Sequence, residues 1–133
     1  TVEEAEHMLA TRLWQNTAKV HFDANARPDG SRLIYGGHVI SMARALSFNG
    51  LANVQMMVGL NGGAHANPCL SGDTIYAWSE VLDKAETDAP GVGAIRLRLV
   101  ATKGHAPFRL RGDDGKYSPD VLLDLDYWAL IPV

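Results

Sequence analysis

A single cysteine, Cys69, is all the thiol chemistry this chain carries. One thiol excludes an internal disulfide and any cysteine-pair metal site, and it fits a reducing, cytoplasmic setting. Long apolar runs are missing too: none approaches the ~20 residues a membrane helix needs, and no signal-peptide pattern is recognisable. Charge of one sign is scarce. Twelve Lys and Arg against 15 Asp and Glu leave a net charge of −3, too mild for a nucleic-acid partner or a strong surface field. What is present is apolar content: 47% of 133 residues, enough for one compact domain with its own core. Thr1 is no natural start and the first residues already read as helix, so the chain is expected to be a piece of a longer one.

The spacing of Val2, Ala5, Met8, Leu9 and Leu13 predicts a helix over residues 2–14, with Thr1 and Glu4 spaced as a capping box. Residues 24–32, rich in Asn, Pro, Asp, Gly and Ser, read as loop. Residues 38–48 are apolar almost all round, which predicts a buried helix stopped by Asn49-Gly50. The period then changes to two. Strands are expected over 54–60, 74–82, 93–102 and 121–131, with turns at 88–91 and 111–118. In the third of these, Ile95, Leu97, Leu99 and Ala101 alternate with Arg96, Arg98 and Val100. One buried helix followed by antiparallel strands is an α+β pattern, the arrangement of a helix wrapped by a curved sheet. An open sheet of that kind favours pairing with another copy or a second half.

The most informative stretch runs from Gln15-Asn16-Thr17-Ala18-Lys19-Val20-His21-Phe22-Asp23 to Tyr35-Gly36-Gly37-His38-Val39, read together with Pro68 and Gly72-Asp73-Thr74-Ile75. It places an imidazole and a glycine-opened helix in one neighbourhood. Histidine suits proton transfer near neutral pH. Helix-start N–H groups suit a developing oxyanion, and glycines let a ligand approach the backbone. These strings resemble the motifs of the MaoC-like hydratases, hot-dog enzymes acting on acyl-CoA thioesters. Longer strings, including residues 3–8, 45–53 and 72–80, look like the C-terminal half of a double hot-dog member of that family.

The resemblance implies a hot-dog fold over residues 1–133 and an acyl-CoA hydratase/dehydratase that reversibly dehydrates β-methylmalyl-CoA to mesaconyl-CoA. It also implies no metal or redox cofactor, an acyl-CoA thioester as the bound partner, no nucleic acid or membrane, and pairing with a second hot-dog half or homo-oligomerisation. Carried over by position, His21 is the acid/base candidate. The family's catalytic aspartate falls on Asn16, whose amide cannot take a proton but could orient water or His21. Asp23 is either the displaced carboxylate or the start of the loop. Gly36, Gly37, His38, Ser41 and Met42 stand where substrate and oxyanion contacts are expected, and His65 follows Asn61-Gly62-Gly63-Ala64, a stretch too polar for a strand interior that could line the acyl pocket or be a loop between strands.

Five histidines (His7, His21, His38, His65 and His105) invite a metal reading, but no pair has tight ligand spacing. Arg96, Arg98, Lys103, Arg109 and Arg111 could meet a CoA phosphate or a substrate carboxylate, or simply form a solvated face. Alternatives within the fold are an (R)-specific hydratase of another enoyl-CoA and a non-catalytic CoA-binding half. A hot-dog thioesterase would need a carboxylate on the central helix, and residues 38–48 hold none.

Overall fold

The computed structural model describes residues 1–104 and 109–133; His105 lies outside the described residues. The elements run in order as helix α1 (Glu4–Leu13), two 3₁₀ turns (Lys19–His21 and Ala24–Ala26), helix α2 (Gly36–Leu46), a short helix α3 (Phe48–Leu51), and strands β1 (Met57–His65), β2 (Tyr76–Glu86), β3 (Val92–Thr102) and β4 (Val121–Pro132). The strands form an antiparallel sheet in the order β1-β4-β3-β2.

Strand alternation decides where the core lies. Register pairs Ile95 with Ala129, Leu97 with Tyr127, Leu99 with Leu125 and Ala101 with Leu123. All eight side chains are buried, and α2 packs on this face through Val39 and Ala43. Burying a Leu or Val side chain contributes roughly 1.5–3 kcal/mol, so these facing rows hold the helix to the sheet. On the opposite face Arg96 makes a two-pronged ion pair with Asp126 (2.9 and 2.6 Å), and Arg98 does the same with Asp124 (2.8 and 2.7 Å). Tyr117 donates to Asp124 (2.9 Å) and Asn61 to Asp126 (2.8 Å).

Several expectations need correction. The first helix has no Thr1 capping box: its N-cap is Glu3, while Thr1 bonds Thr74 (2.8 Å) and Val2 pairs with the Gly72-Asp73 turn. The turn ahead of β2 competes for these residues and wins. The central helix begins at Gly36 and is not buried all round, since Ser41, Ala45 and Leu46 are exposed; the sheet covers one side only. The polar run Asn61-Gly62-Gly63-Ala64 is strand, because ladder hydrogen bonds to β4 override its poor strand composition, with bulges between Met57 and Gly59 and between Leu60 and Gly62. Both β1 and β2 are largely exposed, as edge strands with one unpaired side each.

Candidate active site

Helix α1 ends in a turn that sets up the site. Gln15 has φ 54°, the left-handed conformation usual just past a helix end, and the Asn16 and Gln15 N–H groups bond Thr11 and Arg12 carbonyls (3.0 and 3.1 Å). That reversal points the chain toward the 3₁₀ turn carrying His21. The loop then returns, with Leu33 N–H donating to Val20 (3.0 Å) and Ile34 N–H to Cys69 (2.9 Å), and delivers Tyr35 and Gly36 to the head of α2.

These segments enclose an open cavity of about 480 Å³. Asn16, His21, Gly36, Gly37 and His65 line it, with Tyr35, Asn67 and Cys69 and an apolar floor that includes Ile40 and Leu122. No Asp or Glu is among these lining residues.

His21 is held in one orientation. Its Nδ1 lies 2.8 Å from the Leu33 carbonyl, and a carbonyl can only accept, so Nδ1 carries the proton. Neutral His21 therefore keeps its lone pair on Nε2, the arrangement a general base requires. The ring also meets Tyr35 edge-on, at 5.9 Å between centroids.

The glycine pair is needed for space. A Cβ on Gly36 would fall 2.5 Å from His65 Nε2, and one on Gly37 would fall 2.6 Å from Tyr35 Cζ. Each glycine lies under a ring, so no larger residue fits without moving it. At the start of a helix the first N–H groups lack intrahelical partners. Those of Gly36 and Gly37 donate to no carbonyl among the described residues, which leaves two donors at the positive end of α2 for an anionic oxygen.

Other candidates stand differently. The Asn16 side-chain oxygen accepts from Ala18 N–H (3.0 Å), leaving its NH₂ for the cavity. Asp23 accepts from Asn25 N–H (2.9 Å) and caps the second 3₁₀ turn; it starts the loop and is not among the cavity residues. His38 is buried beside His7, at 6.0 Å between centroids, with Nε2 3.9 Å from Glu6, and lies outside the cavity. Ser41 is exposed and Met42 packs against the core; neither lines the cavity. Successive residues on α2 point about 100° apart, so a helix mouth cannot present 36, 37, 38, 41 and 42 together.

The arginines are taken as well. Arg96 and Arg98 pair with aspartates on the outer face, Arg109 pairs with Asp113, Arg111 lies 3.8 Å over the Tyr117 ring, and Lys103 approaches the Pro68 carbonyl (3.5 Å). Among the described residues no three His, Cys, Asp or Glu side chains gather as a metal site. Tyr35 was missed in the sequence, although an aromatic directly before Gly-Gly was its signal. Cys69 was read only as a lone thiol; burial pushes it up to about 11, so it stays protonated.

No protein-family model matches the chain. It is 79% identical over 133 residues to mesaconyl-CoA hydratase of Cereibacter sphaeroides, covering 99% of this chain and 39% of that protein. It is 53% identical over 140 residues to beta-methylmalyl-CoA dehydratase of Chloroflexus aurantiacus, with the same two coverages. A crystal structure of a MaoC domain protein dehydratase from Chloroflexus aurantiacus superposes with a TM-score of 0.92 at 52% identity, over 99% of this chain and 39% of that one. A double hot-dog protein of Mycobacterium tuberculosis, 19% identical, shares the fold alone, with a TM-score of 0.71 over 100% of this chain and 39% of its own. The chain thus spans about two fifths of the curated relatives it matches. Along nearly its whole length, this chain has the hot-dog fold and is similar to part of a MaoC domain protein dehydratase.

Proposed function

We propose that the protein containing this chain interconverts β-methylmalyl-CoA and mesaconyl-CoA by removing or adding water. The observation that carries the reading is a single cavity holding both the His21 imidazole, its Nδ1 fixed by Leu33, and the free N–H groups of Gly36 and Gly37. In the hydration direction, water attacks the β-carbon and gives a proton to His21 Nε2. The displaced π electrons pass through the α-carbon onto the thioester oxygen, which the glycine amides stabilise. The His21 imidazolium then returns a proton to the α-carbon, so water has added across the double bond. Dehydration runs the same steps backwards.

The remaining parts of the proposal follow from that chemistry. Asn16 orients the water through its NH₂ group. His65, whose ring lies over Gly36, donates to the substrate's free carboxylate. The reaction needs no metal or redox cofactor. A second hot-dog half, or another copy, pairs along the open side of β1, where Met57, Val58 and Leu60 are exposed. The chain is proposed as the C-terminal half of its protein, acting in the cytoplasm, a setting supported by the lone reduced cysteine. No helix of the described residues is long and apolar enough to cross a membrane.

A second reading, a CoA-binding half that does no chemistry, is favoured by the lack of a carboxylate among the cavity-lining residues. The experiment is hydration of mesaconyl-CoA by the full-length protein, followed as loss of enoyl-thioester absorbance, with crotonyl-CoA alongside. His21→Ala should lower kcat by ~10²–10⁴-fold; unchanged turnover supports the second reading. If Asn16→Asp raises kcat, the amide is a defect in this half rather than part of its mechanism.

A further inference from the structure

Behind the cavity lies a buried histidine that the proposed chemistry does not use. His7, on α1, has no exposed surface. Its Nε2 is 2.9 Å from the Tyr35 backbone nitrogen. That N–H can only donate, so His7 Nε2 must be unprotonated and accepting, and its single ring proton is on Nδ1. Nδ1 is buried with no hydrogen-bond partner among the described residues. Thr11 Oγ1 packs beside the ring from one turn on, 3.1 Å from Nε2, and its one proton goes to the nearer His7 carbonyl (2.8 Å).

Tyr35 is the hub of this arrangement. It is the N-cap of α2, the residue directly before the two glycines. Its ring covers Gly37 and stands edge-on to His21. Whatever fixes the Tyr35 backbone therefore fixes the amides and the imidazole together. We propose that His7 is a positioning residue: by accepting the Tyr35 N–H it holds the head of α2, and with it the glycine amides and His21, in the geometry of the cavity. The catalytic part of this inference rests on the reading of the cavity as the active site; the latch itself does not.

The latch works only while His7 is neutral. A proton on Nε2 would face the Tyr35 N–H donor to donor and push them apart. The groups around His7 favour the neutral form. Burial is the largest influence and holds the imidazole below its usual 6.5; His38 on α2 and His21 on the 3₁₀ turn act in the same direction. Glu4 on α1 opposes them, but Arg32 in the loop lowers His7 in turn and is itself bonded to Glu4. Glu6 faces His38 rather than His7. As pH falls, the latch is lost below the range in which an ordinary histidine titrates.

The test compares His7→Gln, whose side-chain oxygen can accept where Nε2 did but cannot titrate, with His7→Leu, in the full-length protein. Two readouts are followed: hydrogen-exchange protection of the Tyr35 amide, and kcat/KM for hydration against pH. His7→Leu should lose Tyr35 protection by roughly 10-fold or more and kcat/KM by ~10²-fold through misplacement of the site. His7→Gln should restore most of both. On the acid side, log kcat/KM of the wild type should fall with a slope one unit steeper than that of His7→Gln, the extra proton being the one His7 takes.

Equal Tyr35 protection in wild type and His7→Leu would overturn the latch, and so would acid limbs of equal slope in wild type and His7→Gln. If His7→Leu does not fold, His7→Gln alone decides on the same two measurements. His21→Ala is run in parallel. Should it keep full activity, the active-site reading fails while Tyr35 exchange still judges the latch.

Discussion

Replacing Gly36 by alanine separates the stability of the fold from the geometry of the site. The three atoms nearest the new Cβ would be His65 Nε2, Cε1 and Cδ2, at 2.5, 2.7 and 3.1 Å. All belong to one exposed ring and none to the backbone, so the ring can yield. Displacing it from its rotamer costs of order 0.5–1.5 kcal/mol, while alanine is favoured over glycine in a helix by about 1 kcal/mol. The two nearly cancel, and Gly36→Ala should unfold in urea within about 1 kcal/mol of wild type. Activity should not survive so well. The methyl group occupies the space over the helix mouth and turns His65 out of the cavity, a misplacement that can cost ~10²-fold in kcat/KM. Adding His65→Ala removes what the methyl meets, so alanine at 36 should be stabilising in that background, a coupling that a double-mutant cycle reads directly. Wild-type hydration by Gly36→Ala would refute the claim that substrate approaches this backbone. A stability loss above about 2 kcal/mol would show that the helix head, and not just the ring, had been forced apart.

Other expectations follow from the same coordinates. The Tyr127 hydroxyl is buried in the core with no hydrogen-bond partner among the described residues, so Tyr127→Phe should raise stability by about 1 kcal/mol in equilibrium urea unfolding; a loss of that size would mean the hydroxyl has a partner. Asp124 is almost covered while Arg98 is about one third exposed, so Asp124→Asn should cost about 1–3 kcal/mol, less than a fully buried pair because solvent screens the arginine. Arg98, and after it Tyr117, hold the Asp124 carboxyl below its usual 3.8. Its stabilisation is therefore complete above about pH 4 and is lost as pH falls through the lower, folded value, which denaturation midpoints from pH 5 down to 2 should follow in wild type and not in the variant. Cys69, buried and pushed up to about 11, should alkylate far more slowly at pH 8 in the native protein than in urea, as mass spectrometry reads.

Much of the fold was legible in the residues because burial imposes a period. Ile95, Leu97, Leu99 and Ala101 alternate with two arginines, and the structure buries the first set and pairs the second. The site was legible only as a list. Gly36-Gly37 and His21 could be named in sequence, but His38, Ser41 and Met42 came with them, and helical rotation sends those three elsewhere. Asn61–Ala64 looked like loop because local composition is a poor guide when a long-range ladder supplies the hydrogen bonds.

What the sequence determined by itself was local: the helix over the first residues, the period-two strands, the glycine pair at a helix start, and the amide at position 16 where a carboxylate was expected. Tertiary structure alone decided which groups meet. His7 and Tyr35 are 28 residues apart yet share a hydrogen bond; Gly36 and His65 come from a helix and a strand yet lie in contact; and the tautomer of His21 depends on a carbonyl 12 residues away. Such contacts depend on how the chain returns to itself, and that return is set by packing of the whole sheet rather than by any neighbour in sequence.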